Sequence, residues 1–307
     1  LTELCSKSKS LFGSEVFPPQ KQRYLFVTSA IGSQEIEQAA ERLIKAAESL
    51  RVFERCIMVN ESSLLELAPE LIHLVPSGDW NIDKKFGFYI WKPIIARAAT
   101  SGTWGDYDGV FYLDAGCQIL PTYWNRRAVI KFFRKASRQG VVVFSTGGEE
   151  NRFTKSRVFD LFPNIDKNCE TPQIAGGSWI LSGALGRDIA AQWEFLATSD
   201  YDNINEEIEF GKESPNLIAP RHDQSIFSLL CKSKNIVPEN VMPPGGGLSY
   251  KTQIRSLFFP FSWSRNRTGT DSTSVVLRAI GSISLNCYFF FNKLIKRLQT
   301  IFINRTA

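Results

Sequence analysis

The chain has 307 residues, 43% of them apolar and 12% aromatic, with 36 Lys+Arg against 31 Asp+Glu and a formal net charge of +5. This composition excludes a disordered chain, a collagen-like repeat and a disulfide-stapled miniprotein, and the length is enough to bury a sizeable core. The charge is uneven: from Lys251 onward nine Lys/Arg face one acid, Asp271, so that stretch carries +8 and residues 1–250 carry −3.

After a polar lead-in over residues 1–22, Tyr24 to Thr28 is a short run of aromatic and β-branched residues that predicts a buried first strand. A helix follows, with Ser33 as N-cap, Glu35 and Glu37 in its positive first turn, and Ile36, Ala39, Ala40, Leu43, Ile44, Ala47 and Leu50 on one apolar face. A second strand around Arg55 to Val59 completes a βαβ opening, which predicts parallel pairing. Further on come a helix over Pro93–Thr100, a strand at Gly109–Leu113, a helix from beyond Pro121 to about Ala136 and a strand at Val141–Ser145. Periodicity is poor between Asn151 and Glu170. A strand at Gln173–Leu181, a helix at Arg187–Ala197, an acidic stretch to Glu213, a helix at Asp223–Cys231 and a Pro/Gly loop at Pro238–Gly247 then close the body. Strands alternating with helices predict an open α/β sheet, mostly parallel and covered on both faces, in a single domain over residues 23–250.

Residues 251–307 differ in kind. Phe258-Phe-Pro-Phe-Ser-Trp263 reads as exposed aromatic sequence, followed by a polar run. Phe291, Leu294, Ile295, Leu298 and Phe302 then repeat at helical spacing, with Lys293, Lys296 and Arg297 on another face. Such a basic amphipathic helix fits the interface of an anionic membrane, or it packs on the body as an ordinary terminal helix. Its interleaved Phe residues do not suit nucleic acid. The segment Ala279–Asn292 is too short to cross a bilayer unaided, and residues 1–21 hold no apolar run of signal-peptide length. The six cysteines lie more than 50 residues apart, with no zinc-ligand spacing, and read as thiols of a reducing, cytoplasmic compartment. Asn60, Asn266 and Asn304 open Asn-x-Ser/Thr triplets that arise by chance at this rate.

The segment Gly109-Val-Phe-Tyr-Leu-Asp-Ala-Gly-Cys117 runs an apolar strand directly into Asp114. That places a carboxylate at the carboxyl end of a strand, where open α/β sheets bind ligands, with Ala115 and Gly116 leaving room for close approach. A turn-capping aspartate is the plainer alternative. Asp106-Tyr-Asp108 precedes the same strand and so falls at the opposite sheet edge, as a solvated turn. Gln173 and the pair Gly176-Gly177 sit within a predicted strand, where paired glycines mark a bulge or a ligand lying close to the backbone. Arg221-His-Asp-Gln-Ser225 opens an apolar helix, with Asp223 as its natural N-cap and His222 able to ligate a cation or face a phosphate. His73 reads as structural.

In order along the chain, Phe86-Gly-Phe-Tyr-Ile-Trp-Lys-Pro93, a helix bearing Arg97, Asp108-Gly-Val-Phe-Tyr-Leu-Asp-Ala-Gly-Cys117 and Arg221-His-Asp-Gln-Ser225 resemble a group of GT-A type glycosyltransferases, over about Arg23 to Val237. The resemblance implies a GT-A-like, Rossmann-like domain and hexosyltransferase-like transfer of a sugar from a nucleoside-diphosphate-sugar donor to a glycan or lipid-linked acceptor hydroxyl, in glycan or surface polysaccharide synthesis. It implies a donor site of Trp91, Lys92, Arg97, Asp114, Gly116, Gln173, Gly176 and Gly177, with His222 and Asp223 catalytic. It also implies Mn²⁺ or Mg²⁺ on the diphosphate. Here the sequence departs from the group's Asp-x-Asp pattern, because Asp114-Ala-Gly116 keeps only the first acid. Either a second ligand joins Asp114 on the metal, His222 and Asp223 being the best candidates, or Lys92, Arg97 or another cation neutralises the diphosphate in place of metal. The missing acid also suits a catalytically silent sugar-nucleotide or glycan-binding module. A nucleotide-cofactor oxidoreductase is weaker, since Ser29-Ala-Ile-Gly-Ser33 has one glycine where a dinucleotide fingerprint needs three.

Overall fold

A computed structural model describes residues 22–208, 211–239 and 259–263. The lead-in through residue 21, the glycine-rich loop from residue 240 and the amphipathic tail helix lie outside the described residues. In chain order the elements are β1 (Tyr24–Ala30), α1 (Gln34–Ser49), β2 (Arg55–Asn60), α2 (Glu61–Leu67), α3 (Leu71–Leu74), α4 (Lys85–Phe88), α5 (Trp91–Thr100), β3 (Gly109–Leu113), β4 (Gln118–Ile119), α6 (Tyr123–Gln139), β5 (Val141–Glu149), α7 (Ser156–Asp160), β6 (Pro172–Ser182), α8 (Gly183–Thr198), α9 (His222–Ser233) and β7 (Phe261–Ser262).

The central sheet has the order β2-β1-β3-β6-β5. β1 pairs in parallel with β2 and β3, while β6 runs antiparallel to both β3 and β5, so four of the five strands point one way. Side chains alternate across the pleat. Leu25, Val27, Val110, Tyr112, Val141, Val143, Trp179 and Leu181 join the core that holds the buried side chains of α5, α8 and α9. Phe26, Phe111, Leu113, Val142, Phe144 and Ile180 face the opposite core, with Leu43 and Ala47 of α1 and Val129 and Phe133 of α6. The sheet is therefore covered on both faces, which is why its strands read as continuous apolar runs.

The direction of β6 is not written in its apolar run, because burial on two faces looks the same for either direction. The aromatic stretch at 259–263 corrects an expectation. Phe259 and Phe261 are buried rather than exposed, and β7 pairs antiparallel with β4, Gln118 opposite Ser262 and Ile119 opposite Phe261. Phe261 packs edge-on against Phe111 and Phe144, and Phe259 lies against Phe132 and Phe144. This short segment thus extends the α1/α6 core instead of offering its rings to solvent. Asn60 is committed as well: it caps α2, its side chain accepting from the Ser63 amide at 2.9 Å in a reciprocal capping box.

Candidate active site

The Phe-Gly-Phe-Tyr-Ile-Trp-Lys-Pro stretch folds in an unusual way. Lys85, Phe86, Gly87, Phe88 and Tyr89 all have positive φ, between 52° and 72°. Each non-glycine residue held there costs on the order of 1–2 kcal/mol, so the turn persists only because its surroundings impose it. Even a residue tolerant of that φ would crowd the site of Gly87, since a Cβ would meet Val75 at 2.9 Å and force it to shift. The turn seats the Phe88 and Tyr89 rings against His222, at 4.8 and 6.2 Å between centroids. It also feeds the chain into α5 with Trp91 and Lys92 buried in the first turn.

Lys92 is 6% exposed. Its Nζ donates to Asp114 Oδ2 at 3.0 Å and lies 4.4 Å from the Tyr89 ring centroid. Burial alone would lower the ammonium's pKa, but Asp114 and Asp223 outweigh it and hold the group above its ordinary value. Lys92 is thus a fixed, desolvated positive charge.

Asp114 follows β3 at the carboxyl edge, as the strand pattern predicts. Its other oxygen, Oδ1, accepts from Tyr112 Oη at 2.8 Å, and Tyr112 Oη lies 3.0 Å from Ser29 Oγ on β1. Its amide donates to the Gly177 carbonyl at 2.9 Å, and Ser178 pairs with Leu113 across the ladder. A Cβ at Gly177 would overlap Asp114 Oδ2, so this glycine is required for the carboxylate to lie against β6. The side chain of Asp114 remains 39% exposed and open to a ligand.

Asp223 is 1% exposed and its Oδ2 has no hydrogen-bond partner. A Cβ on Gly176 would stand 3.4 Å from that oxygen, which places the carboxylate beside this β6 glycine. Burial raises its pKa to about 7, with Lys92 opposing the rise and Asp114 adding to it. The structure corrects its expected role as N-cap: Arg221 occupies that position, and Asp223 lies one residue inside α9 with its carbonyl accepting from Trp193 Nε1 at 3.0 Å. Trp91 Nε1 is a second buried polar atom without a partner.

His222 is also in the left-handed region, at φ 49°. Its Nδ1 lies 2.8 Å from the Ile204 carbonyl, and burial lowers its pKa to about 4, so the ring is neutral near pH 7. The loop that carries Ile204 is pinned by Lys155, which donates to Asn205 Oδ1 and to the Asn205 carbonyl at 3.0 Å. Lys85, Glu206 and Lys155 are the charges His222 feels, which places it on the Phe88 side of the site.

Gln173, fully buried, belongs to a polar network rather than standing alone. Its Nε2 donates to Glu150 Oε1 at 3.1 Å, and its Oε1 accepts from Gln224 Nε2 at 2.6 Å and Arg221 Nη1 at 3.4 Å. Gln224 Oε1 accepts from the Gly176 amide at 3.1 Å. Gly116 lies in the turn after Asp114 and is half-buried. Arg97 goes elsewhere: its guanidinium sits 3.8 Å from Glu194 on α8, outside the Lys92–Asp114 cluster. Asp106 and Asp108 are exposed at the opposite strand ends, where Asp108 accepts from the Arg23 amide. Tyr89, Tyr112, Ser29 and Gln224 complete the site without having been singled out in sequence. Tyr112, inside the Asp-Ala-Gly strand two residues before Asp114, carried the one usable signal, a hydroxyl on the same pleat face.

The structure does not bring Asp114 and His222 together as a pair: Asp114 Oδ2 meets the Lys92 ammonium and Oδ1 the Tyr112 hydroxyl, whereas the charges His222 feels are Lys85, Glu206 and Lys155. Among the described residues no group of three His, Cys, Asp or Glu gathers as metal ligands. The cation that does lie on Asp114 is the Lys92 ammonium.

No family model matches the chain, and no curated protein matches it. Among solved structures it is similar to the crystal structure of mouse xyloside xylosyltransferase 1 in its apo form. That likeness covers 80% of this chain and 99% of the other, at 9% identity and a TM-score of 0.41.

Proposed function

We propose that this chain is a glycosyltransferase that moves a sugar from a nucleoside-diphosphate donor to the hydroxyl of a glycan or lipid-linked acceptor. The observation that carries the reading is the ion cluster at the carboxyl edge of the sheet: buried Lys92, kept charged by Asp114 and Asp223, with Asp223 Oδ2 unpartnered beside Gly176. The order of motifs along the sequence supports the same reading.

In the transfer, the bond from sugar C1 to the diphosphate oxygen breaks and its electron pair leaves with the diphosphate. Lys92 opposes that growing negative charge from a site with little water to screen it. Asp114 holds Lys92 in place and offers its exposed side to donor hydroxyls. Asp223 accepts the proton of the acceptor hydroxyl as its oxygen bonds to C1; a pKa near 7 gives it both an ionised fraction and useful basicity near neutrality. Gln173, held by Gln224 and Glu150, and the β6 glycines bound the sugar pocket. No step here runs through a divalent cation.

Calorimetry of the full chain against a panel of nucleoside-diphosphate sugars, with Mn²⁺ and with a chelator, tests this account. One donor class binds, the chelator leaves affinity within a few-fold, and Lys92→Met weakens binding at least about tenfold, the 1.4 kcal/mol or more carried by a charge-assisted contact. Binding of NAD(P) alone removes the transferase reading, and loss of binding on chelation removes the role given to Lys92.

A further inference from the structure

We propose that α6 is a docking face for an anionic lipid surface. From Tyr123 to Gln139 the helix carries Arg126, Arg127, Lys131, Arg134, Lys135 and Arg138 and no acid. Arg127, Lys131, Arg134 and Arg138 stand at i, i+4, i+7 and i+11, one stripe down the solvent side, opposite the buried Val129, Phe133 and Ala136. Among the described residues one ion pair involves this helix, Lys135 with Glu239. Like charges one turn apart repel along the stripe, and Arg126 at the end of the first turn lies near the positive end of the helix dipole, although Arg138 in the last turn suits the opposite end. A polyanionic surface relieves the repulsion.

A bilayer, rather than another polyanion, is indicated by what heads the stripe. Tyr123 and Trp124 are 62% and 50% exposed in the first turn, their rings edge to face at 5.3 Å. Arg127 donates to Tyr123 Oη at 3.1 Å and lies over its ring, joining the aromatic end to the cationic line. Exposed Trp and Tyr beside arginines match the headgroup layer, where an amphipathic ring has an apolar side to bury and a polar end to keep wet. The chain's route agrees. Phe259 packs on Phe132 of α6, so the polypeptide passes this helix before residues 264–307, which add seven Lys/Arg against one acid and the run Tyr288-Phe-Phe-Phe291. The aromatic end of α6 also lies at the sheet edge that bears Asp114, since both follow β3 by a short connection.

The test is co-sedimentation of the full chain with phosphatidylglycerol/phosphatidylcholine vesicles and with pure phosphatidylcholine vesicles, at low and physiological salt. Wild type sediments with the anionic vesicles. The triple variant Arg127→Glu/Lys131→Glu/Arg134→Glu, all at exposed positions and checked for an unchanged circular dichroism melt, loses at least tenfold in affinity. Brominated lipids quench wild-type tryptophan emission more than that of Trp124→Phe. The proposal is overturned if wild type ignores anionic vesicles, or if the triple variant binds as wild type does, which would assign binding to the tail. It is equally overturned if heparin or duplex DNA binds at least as tightly and brominated lipid quenches neither protein.

Discussion

A carboxylate taken out of water holds its proton more tightly, and Asp223 has lost nearly all its water while keeping one oxygen unpartnered. If it is the base, the transfer rate climbs with pH through about 7 and levels off above, following its ionised fraction. Asp223→Asn lowers the rate by roughly 10²-fold or more, the usual worth of a positioned base, and the remaining activity loses that inflection. A pH profile of both proteins decides; an inflection retained in the variant assigns the ionisation elsewhere. The stability linkage has a fixed sign. Between about pH 4 and 7 the folded protein binds a proton at Asp223 that the unfolded chain does not, so this carboxylate's contribution to stability falls as pH rises through that window. His222, depressed to about 4 from 6.5, acts oppositely: its contribution is lost as pH falls from 6.5 toward 4. Of these residues, Asp114, Lys92 and Asp223 were legible as strand-end and motif positions. Their union into one ion cluster was not, because sequence spacing says nothing about which side chains meet across β3, β6, α5 and α9.

At the scale of elements, the βαβ opening and the helices α5, α6, α8 and α9 followed from periodicity, since each buries one face and says so in its spacing. The short elements α2, α3, α7 and β4 escaped it, and so did two segments that shape the site and the core. The turn at Lys85–Tyr89 takes left-handed dihedrals on Phe and Tyr, which no local preference announces; packing of Gly87 on Val75 and of Phe88 and Tyr89 on His222 imposes them. The Phe259–Trp263 segment looked exposed because its burial depends on β4 and α6, more than 120 residues earlier. Phe261 is 2% exposed among Phe111, Phe144 and Phe259, so Phe261→Ala leaves a ring-sized cavity and costs about 3–5 kcal/mol in urea unfolding. A loss under about 1 kcal/mol would mean that this strand is an ornament on the core.

For the whole molecule, the net charge of +5 conceals three regions of different character. The body is slightly acidic, yet it buries Lys92 at its site; α6 carries an acid-free cationic stripe; and the stretch from Lys251 adds +8. If the domain binds, as proposed, a diphosphate at one edge and an anionic surface along a neighbouring helix, the acceptors it works on are held at that surface. The central claim, that the strand-end cluster transfers a sugar, is tested most directly by nucleoside diphosphate release. The full-length chain is given the donor that binds it, and wild type is compared with Asp114→Asn, whose fold is verified by its melt. Wild type turns over, and the variant, with Lys92 no longer anchored, falls by roughly 10²-fold or more while remaining folded. Turnover by Asp114→Asn at the wild-type rate, or tight donor binding by wild type with no release at all, contradicts it.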